Sequence, residues 1–90
     1  MNVETGQELA QKYSEADRRD EDKRIRRLRR LVDFSLAHIA QSRISLDEAH
    51  RVFDAVRVRA IEMFPGKEAT FDLIYTPRFR RLIAEKFSLN

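Results

Sequence analysis

The sequence has no cysteine and no tryptophan, and only two glycines and two prolines in 90 residues. Without cysteine there are no disulfides, no thiolate metal site and no cysteine nucleophile. Two glycines are too few for a P-loop or a dinucleotide fingerprint. Both need glycine at several positions so that the backbone can approach phosphate closely. No apolar run approaches the ~20 residues that cross a bilayer. The polar, acidic start Met1-Asn2-Val3-Glu4-Thr5 does not match a secretory signal, which opens basic and then turns apolar. These absences lead us to expect a cytoplasmic protein with no membrane partner and no cofactor.

Charge is what the sequence has in quantity. Charged residues make up 37% of the chain, with 18 Lys and Arg against 15 Asp and Glu, for a formal charge of +3. A hydrophobic fraction of 42% in 90 residues suits one small domain. The charge is blocked along the chain. Residues 1–22 hold seven acids and three bases, while residues 23–30 hold six bases and no acid. An acidic block of −4 therefore abuts a basic block of +6.

Periodicity predicts an all-α fold, a compact three- to four-helix bundle with a weakly ordered or short-helical N-terminal arm. We place the arm at residues 1–19 and a single helical domain at 20–90. In the arm, Thr5-Gly6-Gln7-Glu8 has capping-box spacing, and Leu9, Tyr13 and Ala16 make a narrow apolar stripe. So few apolar residues offset little ordering entropy. A first helix is predicted from Asp20 to Gln41, where Ile25, Leu28, Val32, Leu36 and Ile39 fall within about 80° of arc. Asp20–Arg24 and Asp22–Arg26 have the spacing of helical ion pairs. Phe34 falls opposite this seam. A second helix is predicted from Leu46 to Phe64, opened by the capping box Ser45–Glu48 and closed by Pro65-Gly66. The short link Ser42-Arg43-Ile44 makes the two helices antiparallel neighbours. Residues 67–75 read as a short helix, with strand as the alternative. Thr76-Pro77 then reads as N-cap and first residue of a last helix carrying Phe79, Leu82, Ile83 and Phe87.

Three constellations bear on function. The first is the basic stretch Lys23, Arg24, Arg26, Arg27, Arg29 and Arg30, extended by Arg78, Arg80 and Arg81 if the last helix lies near the first. Guanidinium groups form paired bonds to phosphate oxygens, and 14 of the 18 basic residues are Arg. The basic side chains spread over most of the polar circumference, however, and the adjoining acids can neutralise them within the helix. The order of basic stretch, apolar helix, short link and second helix over residues 18–64 resembles the basic helix-loop-helix transcription factors. Glu21-Asp22-Lys23-Arg24 puts a Glu three residues before an Arg, a pair that in that family contacts bases. Here Ile25 and Leu28 carry the buried stripe into the basic stretch, the link is shorter and a further 26-residue segment follows. No residue role is carried across. The second constellation is Asp47, His50 and Asp54, within about 60° of each other on one helix but without the second His a helical metal site uses. The third is aromatic: Phe64, Phe71, Tyr75, Phe79 and Phe87 all lie in the last third of the chain, where they pack a small core or offer a docking surface.

No nucleophile has a base at a usable spacing, so catalysis is not expected. The reading is a small non-enzymatic interaction or oligomerisation module, its partner a protein or a second copy of the chain. It rests on the narrow seam of the first helix and on Phe34, Val58 and Ile61 at the margins of their stripes. The alternative is nucleic-acid binding through the basic stretch and the C-terminal arginines.

Overall fold

The computed structural model describes the backbone of residues 3–88 and the side chains of residues 15–88. It is all-α, with four helices: α1 (Val3–Gln41), α2 (Leu46–Met63), α3 (Glu68–Ile74) and α4 (Thr76–Phe87). The sequence reading starts the first helix at Asp20, whereas α1 is continuous from Val3 and takes in residues 3–19 of the proposed arm. The Thr5–Glu8 box and the Leu9 and Tyr13 part of the stripe lie outside the described side chains.

The seam of α1 is as its spacing predicts. Leu28, Val32 and Ile39 are buried, Ile25 and Leu36 are half-buried, and Ser35 is buried between them. α2 starts at the predicted cap, where Ser45 Oγ accepts from the Glu48 amide at 3.1 Å. It meets the core through Ala49, Val56 and Ala60. Phe64-Pro65-Gly66-Lys67 forms a turn closed by the Lys67 amide donating to the Phe64 carbonyl at 3.2 Å. Gly66 has φ +80°, so the turn requires a residue free of Cβ strain.

Within residues 67–75 the chain forms the helix Glu68–Ile74 and no strand, which settles the alternative left open by the sequence. Their one buried side chain, Phe71, is met by Phe53 and Tyr75 at ring-centroid distances of 6.4 and 5.4 Å. Phe79 of α4 is completely buried against Phe53 at 5.2 Å. Most of the aromatic set is therefore core. Thr76 does not serve as the N-cap of α4. It is the first helical residue and is buried, and its hydroxyl donates to Asp72 Oδ1 at 2.8 Å. The short α3 turns so tightly into α4 that the position available for capping is already inside the helix.

Two sets of long-range side-chain hydrogen bonds fasten the bundle. Arg57 of α2 donates from Nε and Nη2 to the two carboxylate oxygens of Asp72, each at 2.9 Å. Lys86 of α4 donates to the backbone carbonyls of Ile39 and Ser42 at the end of α1, where helical carbonyls have no intrahelical partner.

The helices differ greatly in length. At about 1.5 Å per residue, 39 residues make α1 close to 58 Å long, and the 18 of α2 reach about 27 Å. The molecule measures 66 × 21 × 17 Å. α1 packs on α2 and α4 through its C-terminal half, and its N-terminal half projects beyond the bundle. Every side chain from Glu15 to Arg24 is exposed.

Candidate functional site

The site is best built outward from where α1 leaves the bundle. α2 and α4 both pack on α1, whereas α3 packs on α2 and α4 only. The space between α1 and α3 is therefore an open groove of about 400 Å³. Its floor is apolar: Ile25 and Leu28 from α1, Ala60 and Ile61 from α2, and Phe71 and Ile74 from α3. Phe64 and Tyr75 also line it, and its charged lining is Glu21, Arg29 and Lys67. Ile74 is 52% exposed. Arg24 lies over the Phe64 ring, 6.0 Å from its centroid, a cation–π contact that stiffens this edge.

Of the basic stretch, Arg29 lines the groove and Arg24 lies over Phe64 at its edge. Lys23, Arg24, Arg26, Arg27, Arg29 and Arg30 are all exposed. The ion pairs expected from helical spacing are not made. Arg24 Nε donates instead to the backbone carbonyl of Asp20 at 3.5 Å. Among the described residues, Lys23, Arg26, Arg27, Arg29 and Arg30 reach no carboxylate. The neutralisation inside the helix that the sequence suggested is thus not what the geometry provides.

The C-terminal arginines divide. Arg78 pairs with Asp33 of α1 at 3.7 Å, and Arg81 lies with Leu36 and Ala37 in the shallow seam between α1 and α4. Arg80 turns to the other side of α4, into a hollow shared with His50 and Asp54. Two of the three adjoin the basic helix and one does not.

Asp47, His50 and Asp54 do not converge: among the described residues no group of three His, Asp or Glu side chains is placed to hold a metal. His38 is separate, its Nδ1 3.0 Å from Ser42 Oγ and its ring stacked on Phe34 at 6.4 Å. Of the marginal apolar residues, Ile61 lines the groove, while Phe34 and Val58 do not line it and stand 73% and 57% exposed. They form no common patch with the groove.

Asp72 is the most perturbed titratable group. Hydrogen bonds from Arg57 and Thr76, with the Arg57 charge beside them, hold its carboxyl at about 2, below the usual carboxylate range. This trio ties α2 to the α3–α4 junction and so fixes the far wall of the groove. Neither its Arg57–Asp72 pair nor the Lys86 contacts could be read from spacing, because their partners are 15 and more than 40 residues apart. The groove itself was half legible. Ile25, Leu28 and Ala60 follow from helical periodicity and Ile61 stood at the margin of its stripe, but the gap arises from tertiary placement, α3 packing on α2 and α4 and not on α1.

Comparison of the chain with protein-family models, with curated proteins and with solved structures finds no match. Among the described residues no helix is long and apolar enough to cross a membrane.

Proposed function

We propose that this chain is a non-enzymatic cytoplasmic interaction module whose working surface is the projecting half of α1 together with the groove at its base. One observation carries the reading. A helix whose side chains are all exposed from Glu15 to Arg24 leads directly into an apolar groove with a charged rim. A free helix of this kind gains little from being long unless something binds along it, because helical stability in water comes mainly from packing an apolar face. Ile25, Phe64 and Ile74 supply such a face, left partly open.

The test is light scattering of the chain over a wide concentration range, with a pull-down using the native chain and Ile74→Asp as paired baits. Self-association, or a partner retained by the native bait and lost by Ile74→Asp, is the expected result. A strict monomer with no groove-dependent partner would overturn the reading.

A second reading is nucleic-acid binding, favoured by the five basic side chains of α1 that reach no carboxylate. It calls for binding that weakens steeply between 50 and about 200 mM salt as condensed counterions are released. Replacing Arg26, Arg27 and Arg30 with Gln should then abolish binding without unfolding the bundle. No detectable binding to duplex or single strands at about 50 mM salt removes this alternative.

A further inference from the structure

We infer that the groove is filled by α1 of a second copy of this chain, the two α1 helices running antiparallel with Ile25 near the two-fold axis. This rests on the reading of the chain as an interaction module and names its partner. Three observations select that occupant. The first is the order of charge along one helix. Residues 15–22 hold five acids and two bases, and residues 23–30 hold six bases and no acid. A parallel pair of α1 helices would set acid against acid and base against base. An antiparallel pair about Ile25 sets Asp20 and Glu21 of each copy opposite Arg30 and Arg29 of the other, with residues 23–27 of the two copies crossing at the axis. The sequence of α1 is thus complementary to itself in one direction only.

The second observation is the register offered by the groove. Glu21, Ile25 and Arg29 all line it, four residues apart on one face of α1. A two-fold axis through Ile25 brings Glu21 of each chain opposite Arg29 of the other, so one residue pair is used twice, as an isologous interface requires. The same register puts residues 20–22 of one copy beside residues 28–30 of the other. Ile25 meets its own counterpart between the two ion pairs. Ile61, Phe64 and Ile74, open to solvent in the single chain, then cover the flank of the incoming helix.

The third observation is that the charges are uncommitted in the single chain. Glu21 and Arg29 are exposed, and among the described residues neither has an ion-pair partner. Exposed pairs contribute little each, so the apolar groove supplies the association and the charges set its direction.

Charge reversal tests this. Glu21→Arg and Arg29→Glu are surface substitutions, and far-UV circular dichroism checks that each variant folds. Sedimentation equilibrium at low salt should show each single variant dimerising about tenfold or more weakly than the native chain, since two attractive contacts become repulsive. The double variant Glu21→Arg/Arg29→Glu should recover near-native association, because the swapped pair re-forms across the axis. Direction is read separately. The chain has no cysteine, so Glu15→Cys carries a spin label at one position only. Antiparallel pairing about Ile25 places the two labelled positions roughly 30 Å apart along the helices. Parallel pairing places them about 10 Å apart.

A dimer that ignores both single reversals, or one with the short label distance, overturns the pairing and leaves the module reading standing. A strict monomer whose groove still retains a foreign protein partner does the same. A strict monomer with no groove-dependent partner overturns both.

Discussion

At the scale of single residues, the bundle depends on a few polar groups whose partners lie far away in sequence. Asp72 accepts both Arg57 nitrogens and the Thr76 hydroxyl. Its carboxyl titrates near 2 in the folded chain against an ordinary 3.8. A depressed carboxyl favours the folded state fully above the unfolded value and loses that contribution as pH falls through the folded one. The contribution of Asp72 should therefore be intact at pH 5 and above, and fade between about pH 4 and pH 2. Melting temperatures measured across this range should show Asp72→Asn less stable than the native chain at pH 7, with the difference closing by about pH 2. A constant difference across the range would show that the loss is steric rather than electrostatic. Lys86 acts on the opposite side of the molecule, where its ammonium caps the end of α1. Lys86→Met keeps much of the side chain's length and removes the donors, so chemical denaturation should show a loss of about 1–2 kcal/mol. The parts of the fold that repeat every three or four residues were legible: the seam of α1, the Ser45 cap and the Pro65-Gly66 turn. The Arg57–Asp72 and Lys86 contacts were not, because no local pattern marks a bond made between distant elements.

At the scale of elements, α1 is where sequence and structure part. Residues 1–19 offer too little apolar surface to justify an ordered element of their own, and that argument still holds. What it omits is that helix formation is costly to nucleate and cheap to extend. Once Ile25–Ile39 is fixed on the bundle, the preceding residues only propagate an existing helix, and Glu, Gln, Ala, Lys and Arg are good helix formers. Such an extension should be separable from the bundle. Ala16→Pro removes one amide donor and clashes with the carbonyl four residues earlier, a cost of about 3 kcal/mol in a helix interior. Ala16 is exposed and lies outside the core. The variant should lose ellipticity at 222 nm while keeping the native melting temperature of the bundle. A fall in melting temperature would mean that the projecting segment packs on the bundle in solution.

At the scale of the whole molecule, the small net charge conceals a strongly divided helix. The division becomes functional through shape: the molecule is 66 Å long on a 21 × 17 Å cross-section, and every side chain of α1 from Glu15 to Arg24 is exposed. That imbalance predicts a gradient of stability along a single helix. Backbone hydrogen bonds over residues 15–23, whose side chains are all exposed, are held mainly by the helix itself, so they open by local fraying. Those around Val32 and Ile39, whose side chains are wholly buried, open only when the bundle unfolds. Amide hydrogen exchange on dilute protein should therefore show weak protection before Ile25 and strong protection after Leu28. Uniform protection along α1 under those conditions would contradict the projecting helix. The gradient should flatten as protein concentration rises, because a second copy lying along the exposed half binds only its helical form and slows opening by mass action. Raising the salt at high protein concentration should restore the gradient, since the acid–base contacts that orient the pair are exposed and screened within about 10 Å at 0.1 M. Nucleic acid added instead of more protein would protect the basic half, 23–30, and leave 15–22 exchanging freely, so the same measurement separates the two readings of the helix.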